Sequence, residues 1–330
     1  MAPTRIVIAG ASSLLGAELK SLLEESRFAA AEFRLVDEEI VAGTLTEAGG
    51  EAAVIQPVEE DSFHHANLIF FTGSAQFTAA NLKLALASGA KVVDLSGMPA
   101  DREASCPWFP QLPGKALAFS GREKMFSVLS APAACSSLLS LALNPLGLKT
   151  LSITHFRSVS EAGREGIEEL ESQTAKLLSL QPAGSTVFGT QVAFNLLDGY
   201  GPEGKSDLAS AADSIRFQVA QALGSFSLIP AINFIQAPVF YGAGFSAIAE
   251  LEPTVDSVRI SQACREAGFR IYKREESPLG TLTAAGEEFM FLSEAKLDPS
   301  APGLWWLFGA ADNIRLPAFN AVKLAERLLP

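Results

Sequence analysis

One cysteine of this chain lies where a segment of small residues meets a strongly apolar helical pattern. The stretch VLSAPAACSSLLSLALNPLG (128–147) places Cys135 at that junction. If a helix begins here, its free N–H groups and its dipole lower the pKa of the thiol and favour the nucleophilic thiolate. A buried cysteine is also a common small core residue. The sequence therefore leaves two interpretations of Cys135 open, a nucleophile at the start of a helix or a packed corner.

A second candidate site follows the first apolar run of the chain. The stretch TRIVIAGASSLLGAELKSLLEE (4–25) predicts a strand, a tight loop and a helix. Such a loop presents backbone N–H groups at the positive end of a helix, where a pyrophosphate can bind. The loop lacks the GxGxxG spacing of the dinucleotide fingerprint, so a plain turn capped by Ser12 or Ser13 is an equal alternative. The candidate cofactor-binding residues are Gly10, Ser12, Ser13, Leu14 and Gly16.

An acidic group ends the second predicted strand, FRLVDEE (33–39). Asp37 stands about 20 residues beyond the glycine loop, where a carboxylate can accept a hydrogen bond from a ribose 2′-hydroxyl. Together with Glu38 and Glu39 it disfavours a 2′-phosphate. We therefore expect weak or absent binding of NADP. A solvated acidic turn explains the same residues without any nucleotide.

The elements that must hold these residues alternate along the first half of the chain. The segment 66–97 predicts a complete strand–helix–strand unit, and 115–120 and 124–132 continue the strand signals. Continuous apolar strands alternating with helices predict a doubly wound parallel sheet, an α/β fold. Beyond residue 150 the segments 148–160 and 242–252 alternate polar and apolar residues, as half-exposed antiparallel strands do. Helices are expected at 163–180, 206–224, 254–269 and 313–330.

Composition narrows the function classes. The chain has 330 residues and a net charge of −12, which argues against nucleic-acid and anionic membrane partners. Its three cysteines are far apart, which indicates free thiols and predicts no metal centre. No apolar run reaches the about 18 residues of a membrane-spanning helix, and the first residues lack the pattern of a signal peptide. We expect an acidic cytoplasmic protein of about two domains.

The order of these motifs resembles the aspartate-semialdehyde dehydrogenase family nearly end to end. The resemblance rests on IAGASSLLGAELKSLL, LIFFTGSAQFTAANLKLALASGAKVVDLSG, SAPAACSSLLSLALNPL, HFRSVSEAGREGIEEL, IQAPVFYGAGFSAIAELE and GAADNIRLPAFNAVKLAERL. It implies a Rossmann-like NAD(P)-binding domain over 1–134 and 312–330. It also implies an α+β substrate and dimerisation domain over 135–311, with a mainly antiparallel sheet. By the same resemblance the cofactor is NADP or NAD, the chain forms a homodimer, and Gly73 and Asn313 lie on the cofactor side.

In that family a cysteine thiolate attacks the aldehyde, hydride passes to NADP and phosphate cleaves the thioester. The resemblance places Cys135 at the nucleophile. It places the family's histidine base at Ala243, which cannot move a proton. A missing general base lowers the rate by about 10²–10⁴.

The anchors for the substrate also differ from those of the family. The resemblance puts the family's arginine at Gln236 and its glutamine at Arg157, and we expect these two residues to bind the ligand. Glu161 stands where the family has glycine. The family's acidic and lysine helix positions fall near Ala211 and Ser214. Its phosphate-binding arginine falls near Ala100, with Arg102 close by.

These replacements together predict a divergent paralogue with impaired or lost catalysis, a homodimer that binds a small ligand or a partner. The alternative is an active NAD(P)-dependent, phosphorylating semialdehyde dehydrogenase of amino-acid biosynthesis, with an acyl-thioester on Cys135.

Overall fold

The computed structural model describes residues 4–39, 43, 45–48, 51–98, 105–112, 123–205, 207–273 and 277–329. The chain divides into two compact units. Unit 1 comprises Met1–Ser130 and Pro317–Pro330, and unit 2 comprises Ala131–Leu316. The strand expected at 115–120 lies outside the described residues.

Unit 1 is built on a parallel sheet whose strand order is β5-β2-β1-β6-β7-β9-β8. A separate antiparallel hairpin is formed by β3 and β4. From β1 the chain first forms β2 and β5 on one side and then forms β6 on the other side. The direction in which strands are added therefore reverses between β1 and β6. The strands are β1 (Arg5–Ala9), β2 (Glu32–Asp37), β3 (Leu45–Ala48), β4 (Glu51–Val54), β5 (Gln56–Pro57), β6 (Leu68–Phe71), β7 (Lys91–Asp94), β8 (Cys106–Trp108) and β9 (Met125–Val128).

Helices cover both faces of this sheet, because successive strand residues point to opposite faces. On β1, Ile6 and Ile8 pack in one core with residues of α1 (Leu14–Glu24) and α8 (Arg315–Leu328). Val7 and Ala9 pack in a second core with residues of α2 (Ala75–Ala87). The doubly wound Rossmann-like fold expected from the apolar runs is confirmed.

Unit 2 is built on a mixed sheet of order β11-β10-β12-β16-β14-β13, with β15 paired to β16. The pairs at the centre of the sheet are antiparallel, which confirms a mainly antiparallel sheet. The pairs β10–β11 and β13–β14 are parallel. The strands are β10 (Thr150–Arg157), β11 (Ala231–Gln236), β12 (Ala243–Glu250), β13 (Phe269–Tyr272), β14 (Met290–Ser293), β15 (Lys296–Leu297) and β16 (Leu304–Ala311).

Helix α3 (Ala131–Leu143) is the most deeply buried element of unit 2, with nearly every side chain inaccessible. It contacts β10, α5 (Leu208–Leu223) and α6 (Ser257–Glu266). The remaining helices are α4 (Gly163–Leu178) and the short α7 (Thr281–Ala284). Asp207 caps α5 by accepting hydrogen bonds from the N–H groups of Ala209 and Ser210. Among the described residues, no helix has the length and apolar character needed to cross a membrane.

Candidate functional site

Arg157 and Gln236, the two expected ligand anchors, are direct neighbours. Strands β10 and β11 run parallel, and their register pairs Arg157 with Gln236 at the carboxyl ends of both strands. The Gln236 amide also donates to the Arg157 carbonyl over 2.9 Å. The two positions to which the resemblance assigns the substrate anchors are therefore adjacent, with the guanidinium on β10 and the amide on β11.

Tyr200, which the sequence did not single out, joins these two side chains. Its hydroxyl accepts a hydrogen bond from Arg157 Nη1 over 2.9 Å and donates to Gln236 Oε1 over 2.6 Å. Gln236 is completely buried, whereas Arg157 and Tyr200 are partly exposed. Burial is the main influence on Tyr200 and raises the pKa of its hydroxyl, which remains a donor. The hydrogen bond to Tyr200 fixes the position of the guanidinium, and the Arg157 side chain remains partly exposed to solvent.

A segment between α4 and α5 brings Tyr200 to this position. Glu169 of α4 is buried, and its carboxylate accepts hydrogen bonds from the backbone N–H groups of Val187 and Phe188 over 2.6 and 3.3 Å. Gln173, one turn later, accepts from the N–H groups of Val192 and Ala193. Two side chains of one helix thereby fix an irregular segment that contains few backbone pairs of its own.

Glu161 lies beside the guanidinium, in a 3₁₀ turn over Val159–Ala162 that directly follows β10. Its backbone carbonyl accepts from Arg157 Nη2 over 3.2 Å. Burial raises the pKa of the Glu161 carboxyl, while the charge of Arg157 and a hydrogen bond with Asn313 act in the opposite direction. The carboxyl group expected here from the sequence therefore lies near Arg157, in a setting where burial favours its neutral form.

Asn313, expected on the cofactor side, is bonded within unit 2. Its amide oxygen accepts from the Gly242 N–H over 2.7 Å, and its amide nitrogen donates to Ser160 Oγ over 3.0 Å. These bonds connect Ser160 to the backbone next to Ala243, the position to which the resemblance assigns the histidine base. A role for Asn313 toward a cofactor remains a prediction.

Cys135 does not lie at the mouth of a helix. Helix α3 begins at Ala131, so Cys135 is already its fifth residue, and the side chain is completely buried. Burial raises the pKa of the thiol to about 12, against a small lowering by its own backbone N–H. The expectation of a lowered pKa is wrong for this reason. No imidazole or carboxylate of the described residues hydrogen-bonds its sulfur.

His155 is the imidazole of unit 2, and it contacts the residue after the cysteine. His155 Nε2 and Ser136 Oγ are 2.8 Å apart. The ring is buried, stacked on Phe234 with centroids 5.1 Å apart, and burial lowers its pKa to about 3. The His155 ring is therefore neutral near neutral pH, and its Nε2 is hydrogen-bonded to Ser136. This contact stabilises the packing of β10 against α3.

In unit 1 the expected cofactor residues meet at the switch between β1 and β6. Gly10 has a φ of +91°, and a Cβ built on it would lie 2.2 Å from the Gly73 backbone nitrogen. Ser13 caps α1 by accepting from the Gly16 N–H over 2.8 Å, and Leu14 begins that helix. Ligands of open α/β sheets bind at the carboxyl ends of the strands, beside such a switch point.

Asp37 meets this loop directly. Its Oδ2 accepts from the Ser12 N–H over 2.7 Å, and its Oδ1 accepts from the Glu38 N–H over 2.8 Å. A cavity of about 610 Å³ opens beside it, with Glu38, Glu39, Glu59 and Asn81 in its walls. A carboxylate has about four acceptor positions, so Asp37 retains capacity for a ribose hydroxyl. A 2′-phosphate would instead face acidic side chains, so these residues fit NAD better than NADP.

Two further expectations concern a phosphate-binding position and a metal site. Ala100 and Arg102, considered for a phosphate-binding position, lie outside the described residues. The described residues contain no group of three or more His, Cys, Asp or Glu side chains arranged to bind a metal ion.

Comparison with known proteins decides the family. Residues 5–101 match the family model described as "Semialdehyde dehydrogenase, NAD binding domain", and residues 138–316 match "Semialdehyde dehydrogenase, dimerisation domain". The chain belongs to the semialdehyde dehydrogenase family. The Rossmann-like NAD-binding domain and the dimerisation domain expected from the resemblance are thereby confirmed.

Relatives of the semialdehyde dehydrogenase family match along the whole chain. A "USG-1 protein homolog" of Pseudomonas aeruginosa is 29% identical, over 99% of this chain and 98% of its own. "Aspartate-semialdehyde dehydrogenase 2" of Vibrio cholerae is 25% identical, over 98% of this chain and 97% of its own. The solved structure of a probable aspartate-semialdehyde dehydrogenase from Pseudomonas aeruginosa has a TM-score of 0.87 at 28% identity and covers 99% of this chain and 98% of its own.

Proposed function

We propose that this chain is a divergent semialdehyde dehydrogenase paralogue that retains a site for a small carboxylate in unit 2 and has impaired or lost dehydrogenase activity. The observation that carries this proposal is the bonded set of Arg157, Tyr200 and Gln236. A positioned guanidinium with free N–H groups is suited to a carboxylate, which it can bind through two hydrogen bonds.

The impaired chemistry is inferred from the thiol. With a pKa raised to about 12, Cys135 is almost wholly protonated at neutral pH, and the thiol is a far poorer nucleophile than the thiolate. The position at which the family carries its histidine is Ala243, whose methyl group is buried. The one histidine of unit 2, His155, is hydrogen-bonded to Ser136, and burial lowers its pKa to about 3. Neither residue offers the thiol a base near neutral pH.

An active NAD(P)-dependent, phosphorylating enzyme is the second candidate. It is favoured by the presence of Cys135 in the first turns of α3 and by the retention of a cation at the Arg157–Gln236 pair. In that case Cys135 would add to the aldehyde and carry the thioester that loss of hydride leaves. The residues at the switch between β1 and β6 would hold a nicotinamide cofactor, which would supply the hydride acceptor. The residues around Asp37 then favour NAD as the cofactor.

We further propose that the homodimer forms through the outer face of the unit 2 sheet. Along β10, β11, β12 and β16 the residues facing away from α3 alternate with the buried ones. This face presents Ser152, Thr154, Asn233, Ile248 and Trp306, and the Trp306 side chain is 42% exposed. An exposed tryptophan on a half-polar sheet face is typical of a surface that another protein surface covers.

One assay distinguishes the active dehydrogenase from a paralogue that has lost this activity. Purified protein is given NAD or NADP with aspartate semialdehyde and phosphate, and cofactor reduction is followed by absorbance, with Cys135→Ala as the matched control. We expect no turnover above that of buffer. Turnover that disappears in Cys135→Ala would establish the active enzyme.

Nucleotide binding is measured separately by thermal shift, because a ligand that binds the folded state raises the melting temperature with its concentration. We expect a larger rise with NAD than with NADP. A sub-micromolar dissociation constant for NADP would contradict our interpretation of Asp37 and its acidic neighbours.

A further inference from the structure

The large apolar side chains that face water are concentrated in unit 2. Among the residues described in unit 1, Val54 is the one large apolar side chain that is extensively exposed, and unit 2 carries all the others. Two of them stand almost side by side in the segment between α4 and α5: Phe194 is 64% exposed and Leu196 is 62% exposed. Adjoining exposed apolar groups are typical of a surface that contacts another protein.

Phe194 is also held in a strained backbone conformation. Its φ of +60° lies in the left-handed region, which bulky side chains rarely adopt. The buried Gln173 accepts hydrogen bonds from the Val192 and Ala193 N–H groups just before it, and the Asn195 N–H just after it donates to the Val192 carbonyl. Such strain persists only where the surrounding structure fixes it, and it is common at functional sites. Within its own chain the ring gains little in return, because most of it remains in water.

The loop Gln191–Leu197 continues the unit 2 sheet at its β11 edge. The backbones of Leu197 and Gln236 exchange hydrogen bonds of 3.1 and 2.9 Å, as antiparallel neighbours do. Gln236 is buried and lies on the α3 side of β11. Paired residues share a face of a sheet and successive residues alternate between faces. Leu197 therefore points to the α3 side, and Leu196 points to the outer face, for which the homodimer contact is proposed.

A second copy of this chain is the partner that these observations favour. The loop lies within residues 138–316, which match the dimerisation domain of the family. It contains no charged residue, and an aromatic side chain without neighbouring charge is typical of the centre of an interface. In a two-fold dimer the same surface of both copies is buried, so both loops would be covered at once.

We propose that the loop Gln191–Leu197 is a contact of the homodimer, in which Phe194 and Leu196 of each protomer are covered by its partner. The inference rests on the homodimer proposed above, and it extends the interface from the sheet to the segment that carries Tyr200. The strained backbone and the exposed ring destabilise an isolated protomer, and formation of the dimer offsets this effect.

The experiment measures the dissociation constant of the dimer for the full chain, by sedimentation velocity over a range of concentrations. Phe194→Gly removes the ring and suits the backbone, because glycine adopts a positive φ without steric cost. We expect this variant to dissociate at least about thirtyfold more readily, which is the effect of losing a residue that dominates an interface. Its urea midpoint at a concentration where the protein is monomeric should be unchanged or higher. Leu196→Asp should weaken the dimer in the same way.

Val258→Asp is the matched control. Val258 is 71% exposed on α6, which packs against α3 on the other side of the sheet, so this variant should dimerise as the wild type does.

Three results would overturn the inference. If Phe194→Gly and Leu196→Asp dimerise as tightly as the wild type, the loop lies outside the interface; loss of the dimer in Trp306→Glu would then leave the proposed homodimer standing. A lower urea midpoint for monomeric Phe194→Gly would show that the ring stabilises its own protomer instead. A wild type that is monomeric at micromolar concentration would remove the proposed homodimer and this contact together.

Discussion

Exchanging Arg157 and Gln236 tests whether these neighbours form one unit. The single variant Gln236→Arg places a second guanidinium in a completely buried position, next to the first across parallel strands. The single variant Arg157→Gln removes the donors to Tyr200 and to the Glu161 carbonyl. The double variant carries one cation, as the wild type does, but on β11, the strand where the family has it.

The magnitudes follow from this geometry. Neighbouring strands lie about 4.8 Å apart, so the two guanidinium groups of Gln236→Arg are separated by about 6 Å and repel by about 3 kcal/mol at an effective dielectric constant near 20. With the burial of an unpaired charge, that variant should lose about 3–5 kcal/mol of unfolding free energy. Arg157→Gln should lose about 1–2 kcal/mol. The double variant should lose about 3 kcal/mol less than the sum of the two, because the repulsion is absent.

The assay is equilibrium unfolding in urea, followed by tryptophan fluorescence. The chain has three tryptophans: Trp108 in unit 1, and Trp305 and Trp306 on β16. A Trp108→Phe background therefore makes the signal report unit 2, which matters because a chain of two domains need not unfold in one step.

Thr154 and Asn233 provide a matched control, since they are register partners on the same two strands and carry no charge. Cross-strand pairs of uncharged side chains interact by only about 0.2–1 kcal/mol, so the Thr154–Asn233 cycle should show a coupling free energy of that size. If the coupling free energy of the Arg157–Gln236 cycle is no larger, the reasoning about a charge-coupled pair is refuted.

Three further predictions concern other parts of the chain. A thiol reagent at pH 8 should modify the partly exposed Cys106 of the native protein. It should react with Cys135 and Cys264 only after unfolding, because both thiols are buried and have pKa values of about 12. Rapid modification of Cys135 in the native protein, detected by mass spectrometry, would contradict this. Burial lowers the pKa of His155 from 6.5 to about 3, so its unfolded form binds more protons between these values, and stability should fall as the pH drops from 6.5 toward 3; a His155→Phe variant with the same pH dependence in urea titrations would show that another group is responsible. Trp306→Glu should convert a dimer into a monomer in light scattering, and a wild type that is already monomeric at micromolar concentration would remove the basis for the dimer.

Local sequence patterns were sufficient to predict the first strand, the glycine loop and the first helix of unit 1. The run Ile6–Ala9, the break at Gly10 and the helical spacing from Leu14 match β1, the loop and α1, because apolar periodicity and glycine act over a few residues. The start of α3 was placed too late. Pro132 marked it, since proline is tolerated in the first turn of a helix. Several strands of unit 2 carried a weaker signal, and β13 and β14 were missed because they are short and pair with distant strands.

The sequence alone determined the family and the alternation of elements, because each is encoded in residue types and their order. Only the tertiary structure decided that Arg157 and Gln236 are neighbours, that Tyr200 joins them and that Cys135 is buried with a raised pKa. These properties depend on pairing between strands that are nearly 80 residues apart in the chain and on the packing around α3. The physical reason is that solvent exclusion and charge proximity arise from contacts in space, which a linear pattern does not contain.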